Sequence, residues 1–361
     1  MSHRRSARVS TGVWALVVAL VGLVVLTFLP APYVIQQPGP VFDTLGTAED
    51  ADGKQVPLIA VDDAKTYETD GTLDLTTVQV VGNRMRTPSW IELAIAWFDR
   101  SRAVVPIDAV FPEGVTTEER DEQNAALMVD SQHEATAAAL SELGYDVGAA
   151  VKVVDVVPDL PAEGKLKSGD VIVAMNGEKI TVSTRPGEIV QKSAGEPVDV
   201  TILRDGKEQS LSLTPEEQSS NGTDAWLLGV TLTTEYDFPI DVHIQLNNVG
   251  GPSAGMMFAL GIIDTLTPEE ITGGERIAGT GTIAGDGTVG PIGGIRHKLY
   301  GARDAGAEYF LAPAENCDEV SGHIPDGLTV FSTKTLDDSL HILDVIADHG
   351  DTAKLPSCPA G

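Results

Sequence analysis

Gly250-Gly251-Pro252-Ser253-Ala254-Gly255, read together with Lys298 at the end of Pro291-Ile292-Gly293-Gly294-Ile295-Arg296-His297-Lys298, decides how this chain is understood. A serine among glycines and small residues can offer its hydroxyl and the neighbouring backbone N–H groups to a carbonyl. A lysine in apolar, glycine-rich surroundings can lose its proton and act as a base. Each residue also has an ordinary reading. Serine is a favoured helix N-cap, and Gly-Pro-Ser is common turn chemistry. A lysine on an amphipathic helix usually lies on a solvated face, and only burial brings its pKa down from about 10.4.

Around these residues the pattern predicts one unit over 225–347. It has a strand at Val242–Leu246 and a helix from Ser253 to Leu266. Glycine-punctuated strands follow between Ile277 and Val289, then a helix from Ile295 to Ala305 and a strand at Tyr309–Ala312. The order reads as α+β. Asp264, Glu269 and Glu270 read as a solvated acidic face. Cys317 and Cys358 are the only two cysteines. They are either a disulfide pinning the 348–361 tail or two separate thiols. No Cys-x-x-Cys occurs, so neither a zinc ribbon nor a dithiol redox site is supported.

Upstream, 215–224 reads as a polar linker, and its Asn221-Gly222-Thr223 as a turn rather than a glycosylation site. Residues 144–214 alternate short strands with turn signals. Leu166-Lys167-Ser168-Gly169-Asp170-Val171-Ile172, Asn176-Gly177 and Val200-Thr201-Ile202-Leu203-Arg204-Asp205-Gly206 resemble a PDZ domain of the bacterial protease-associated kind. That resemblance implies a ligand strand added to a sheet edge beside a helix at 186–193. Leu143-Gly144-Tyr145-Asp146 is the nearest candidate for a carboxylate-binding loop, in degenerate form. A capping box, Thr116-Thr117-Glu118-Glu119, opens a long helix over 116–143. Residues 31–115 read as β-rich, with a short helix at Trp90–Phe98 and no evident chemistry.

Residues 12–29 carry no charge, and at 1.5 Å per residue they reach about 27 Å. Arg4, Arg5 and Arg8 precede them, and no Lys or Arg follows until Lys54. Positive-inside logic predicts a cytoplasmic tail over 1–11, a single-pass anchor over 12–29 in the plasma membrane, and everything beyond outside the cell. A cleaved signal peptide is the rival, but the run exceeds a usual h-region and lacks a clean Ala-x-Ala site. Net charge is −29; the first 29 residues hold three arginines and no acid, leaving −32 for the rest. Such a surface repels nucleic acid.

From Ser253 through Thr280-Gly281-Thr282-Ile283, Val289–Ile295, Lys298 and Leu311-Ala312-Pro313-Ala314-Glu315-Asn316, the chain resembles the proteolytic domain of Lon-type proteases. The order of segments resembles the membrane-anchored, PDZ-containing Lon-like proteins of Gram-positive bacteria. The resemblance implies Ser253 as nucleophile, Lys298 as general base and Thr280 as a hydroxyl orienting the amine. Backbone N–H groups at Gly251 and Ser253 would form the oxyanion hole. It implies polypeptide substrates, no cofactor, and a hexameric ring. Lon proteases usually carry an ATPase module, yet Gly53-Lys54, Gly164-Lys165 and Gly206-Lys207 all lack a P-loop's context. The expected fold is therefore α+β and multidomain, with a transmembrane helix, a β-rich segment, a PDZ-like domain and a Lon-type domain. The expected activity is ATP-independent endopeptidase action on flexible chains. A non-catalytic PDZ scaffold with a degenerate Lon-like domain is the alternative. His243 and His297 are weaker bases: His297 projects about 100° away from Lys298 on a shared helix. No His-Glu-x-x-His occurs.

Overall fold

Ile277-Ala278-Gly279 and Phe310-Leu311-Ala312 are apolar without alternation, as strands covered on both faces must be. In the computed structural model, which describes residues 3–50, 53–220, 223–247 and 249–359, both lie inside a six-stranded sheet. Its order is Thr329–Thr333, Tyr309–Pro313, Arg276–Gly279, Thr72–Val81, Tyr33–Asp43, Ala103–Pro106. The first four strands run parallel, and the last two pair antiparallel. Helices Gly255–Leu266, Ile295–Asp304 and Leu336–Ala347 intervene in the chain. This is a mixed α/β arrangement and corrects the expected α+β order. Strands from 31–115 and from the C-terminal segment share the sheet, a pairing that no periodicity announces.

Helix Gly255–Leu266 is apolar all round, and Met256, Met257, Phe258, Leu260 and Ile262 are fully buried against Leu73, Leu75, Ile277 and Leu311. Gly279 permits that approach. A Cβ there would lie 2.5 Å from Met257 Sδ and 3.1 Å from the Leu311 carbonyl. Cys317 and Cys358 are bonded, so the C-terminal tail is tied beside strand Thr329–Thr333. The bond spans 41 residues of sequence, a closure worth about 4 kcal/mol on chain entropy.

A second sheet runs Lys207–Leu213, Val198–Arg204, Val171–Met175, Gly148–Val156, Val230–Asp237, antiparallel throughout. Its core gathers Val151, Val153, Ile172, Val200, Ile202 and Leu213. Asp170 is buried and accepts from Arg204 Nε at 2.7 Å and Nη2 at 2.6 Å. Those bonds hold its carboxyl below the usual range. The stretch expected to be a linker is instead a hairpin, Glu216–Ser220 with Thr223–Leu227. Its anchor lies at the far end, where Trp226 packs over Gly195 and exchanges two backbone hydrogen bonds with the Gln191 side chain. Asn221 and Gly222 of the sequon lie outside the described residues. The long helix spans Thr117–Glu142, and its capping box forms in both directions.

The N-terminal reading is overturned. Residues His3–Phe28 form a helix, but among the described residues no helix is long and apolar enough to cross a membrane. The helix starts in the arginine-bearing segment and stops at Phe28. Beyond Ser10, Thr11 and Gly12 its predominantly apolar part, 13–28, reaches only about 24 Å against a hydrocarbon core of about 30 Å. The transmembrane anchor, the plasma-membrane location and the orientation deduced from it are not supported.

Asp264 also departs from expectation. It is buried, not solvated, because the helix that carries it has no polar face; Glu269 and Glu270 alone stay exposed. Burial pushes Asp264 up to about 6, and it does the same to Asp74, which faces Asp43 across the sheet. One oxygen of each, Asp264 Oδ2 and Asp74 Oδ2, has no hydrogen-bond partner. Between about pH 4 and 6 the folded chain holds these protons and the unfolded chain does not, so stability falls as pH rises through that window. Asp264→Asn is expected to raise Tm at pH 8 and to leave it nearly unchanged at pH 4.5, measured calorimetrically. Equal shifts at both pH values would contradict this account.

Candidate active site

Gly294 takes the left-handed conformation (φ 71°) as the N-cap of helix Ile295–Asp304, and a side chain there would press on Val78. The turn aims the first face of the helix into the protein. Ile295, Leu299 and Ala302 enter one apolar cluster, and Lys298 is left 2% exposed. Burial alone lowers its amine to about 7.

Two hydroxyls meet that amine. Lys298 Nζ lies 2.8 Å from Ser253 Oγ and 2.8 Å from Thr280 Oγ1. Thr280 follows strand Arg276–Gly279 and is fully buried. Its hydroxyl proton is committed to the Ser253 carbonyl at 2.8 Å, and the Gly281 N–H donates to the same carbonyl at 2.9 Å. Thr280 Oγ1 must therefore accept from the amine. A neutral amine that donates to Thr280 can turn its lone pair toward the serine O–H. Ser253 itself is not an N-cap. Helix Gly255–Leu266 is capped at Ala254 without a side-chain bond, which leaves the serine hydroxyl to the lysine.

Gly251, with φ 87°, shapes the turn before Ser253, but its N–H donates to the Asn124 carbonyl at 2.9 Å. The histidines stand apart. His297 Nδ1 lies 2.8 Å from the Ser101 carbonyl, and His243 pairs with Asp62 at the surface.

A cleft of about 800 Å³ opens over Ser253 and Lys298. Phe42, Leu75, Met128, Leu246 and Val249 form an apolar wall; Thr76, Thr77, Gln79 and Asn247 supply polar groups. More than half of this lining comes from 31–115, a stretch whose sequence shows no evident chemistry. The strand Tyr33–Asp43 shifts register between Pro38 and Val41, and Thr77 Oγ1 holds the Pro40 carbonyl at 2.7 Å. The Pro38-Gly39-Pro40 run was the available signal for this bulge beside the cleft.

A second feature was also missed. Leu143-Gly144 merely ends the long helix. Leu228-Gly229 instead leads into Val230–Asp237, the terminal strand of the second sheet, across from helix Pro186–Lys192. Gly229 has φ 79°, and the Leu228 and Gly229 carbonyls bond back to Ala162 and Val157.

With this geometry in view, comparison with known proteins is informative. Residues 229–345 match the family of the Lon protease (S16) C-terminal proteolytic domain, and residues 114–214 match the PDZ domain. The chain thus carries a Lon-type proteolytic domain beside a PDZ domain. The zinc metalloprotease RasP of Geobacillus kaustophilus is 36% identical over 80 residues, covering 21% of this chain and 19% of that protein. A probable periplasmic serine endoprotease DegP-like of Marinomonas sp. is 42% identical over 80 residues, 22% of this chain and 17% of that protein. The chain thus spans about a fifth of the length of these relatives. Among solved structures, the PDZ domain of the SdrC-like protein from Listeria innocua aligns at 23% identity and a TM-score of 0.21, covering 23% of this chain and 92% of that one.

The lysine has a measurable cost. Below about pH 7 the fold must hold a buried ammonium, so stability is lost as pH falls from about 10 to about 7. Lys298→Met is expected to raise Tm at pH 6, with the gain shrinking toward pH 10. A destabilised variant at pH 6 would contradict the lowered pKa.

Proposed function

We propose that this chain is a serine endopeptidase that cuts flexible polypeptides without ATP, with Ser253 as nucleophile and Lys298 as general base. The observation that carries the reading is the buried Lys298 amine, 2.8 Å from both the Ser253 and the Thr280 hydroxyls. The relatives include both a metalloprotease and a serine endoprotease by name, so the choice of serine chemistry rests on this contact and on the Lon-type match.

The neutral amine takes the Ser253 proton as Oγ attacks the substrate carbonyl carbon. Thr280 fixes the direction of the lone pair. The backbone N–H of Ser253, joined by that of Gly251 once it leaves the Asn124 carbonyl, stabilises the oxyanion, and the ammonium of Lys298 returns its proton to the leaving amine. A water, deprotonated by the same lysine, then hydrolyses the acyl-enzyme. The cleft, in which Phe42, Leu75 and Met128 stand beside Glu49, Thr76, Thr77 and Gln79, suits an extended chain rather than a folded domain. The terminal strand Val230–Asp237 beside helix Pro186–Lys192 offers an edge to which a second stretch of polypeptide adds as a strand.

The test is hydrolysis of an unfolded protein by the purified chain without ATP. Ser253→Ala and Lys298→Ala are each expected to cost about a thousandfold or more in kcat/KM, and Thr280→Val about tenfold. Activity surviving Lys298→Ala would assign the base elsewhere. A wild-type chain that binds peptides but never cuts them would favour the scaffold.

A further inference from the structure

Each of the three residues before Ser253 touches the long helix Thr117–Glu142. The Gly251 N–H donates to the Asn124 carbonyl at 2.9 Å. The Pro252 carbonyl accepts from Ser131 Oγ at 3.0 Å. Gly250 packs so closely that a Cβ would lie 2.7 Å from Asn124 Cβ. The helix belongs to the stretch matched by the PDZ family and lies outside 229–345, so these contacts are an addition to the proteolytic domain.

The two halves of the helix are held very differently. From Ala135 to Leu140 every residue is buried, and Glu134 receives the Gly285 N–H. Before Ser131, Met128 alone is buried, while Leu127 and Val129 are 43% and 48% exposed. Met128 reaches into the wall of the cleft. An amide hydrogen already given to a helix carbonyl cannot stabilise an oxyanion.

We infer that the first half of this helix, Thr117–Asp130, is a latch on the Ser253 turn. Seated, it holds the Gly251 N–H and narrows the cleft with Met128. Lifted about its buried second half, it releases the donor and widens the cleft. The inference rests on the peptidase reading, in which Gly251 serves the oxyanion, and adds a control from the PDZ side of the chain. Activity is then proportional to the unlatched fraction.

Ala125 and Ala126 are exposed and lie outside the site. Ala125→Gly/Ala126→Gly weakens the helix there, and is expected to raise kcat/KM about tenfold and to speed amide exchange at Gly251. Ser131→Ala, which removes only the Pro252 bond, is expected to act in the same direction. A peptide boronate bonded to Ser253 of the wild type is expected to speed exchange across 117–130. A wild-type chain without hydrolysis would defeat the peptidase reading. Hydrolysis by the wild type, with the glycine and Ser131→Ala variants equal or slower, would defeat the latch. So would unchanged exchange over 117–130 in the boronate adduct.

Discussion

An ammonium group 2% exposed is expensive, and the architecture around Ser253 follows from how that expense is avoided. The amine of Lys298 sheds its proton near neutrality because the folded chain gives it hydroxyls and no compensating burial of charge. Once neutral, it has hydrogens to donate and one lone pair. Thr280 consumes a donor, because its own proton is locked onto the Ser253 carbonyl. The same constraint that makes the lysine costly therefore makes it directional.

Distant parts of the chain impose that burial. The Ile295–Asp304 helix packs on strands Tyr33–Asp43 and Thr72–Val81, which come from the opposite end of the sequence. Gly279 and Gly294 let the layers close to contact distance where any side chain would hold them apart. The cleft lies where those N-terminal strands meet the Ser253 turn, so its wall and the Ser253–Lys298 pair draw on different segments. The long helix leads into the second sheet and bonds to the turn through Asn124 and Ser131.

Much of this was legible. Ser253, Thr280 and Lys298 sit in ordered glycine-rich motifs, and the structure brings all three within one hydrogen-bonded group. The capping box at Thr116 announced its helix because both partners are local. What could not be read depended on long-range pairing or on depth. The strands of 31–115 carry no motif for the sheet edge they join. Asp264 looked solvated because its acidic neighbours are, yet an all-apolar helix has no outer face to offer it. The 215–224 stretch has no apolar alternation, and its hairpin is fixed by Trp226 beyond it. The N-terminal run 12–29 looked long enough for a membrane span, but its helix stops at Phe28, and none of the described helices is long and apolar enough to cross. The bond between Gly251 and Asn124 has no sequence signal at all.

The ionisation of one side chain tests the account most directly. In protein labelled with ¹³C at lysine Cε, the Lys298 resonance should titrate with a midpoint near pH 7, and the Ser253→Ala protein should keep a lowered midpoint. A Lys298 midpoint above 10 would leave Ser253 without a base and contradict the central claim.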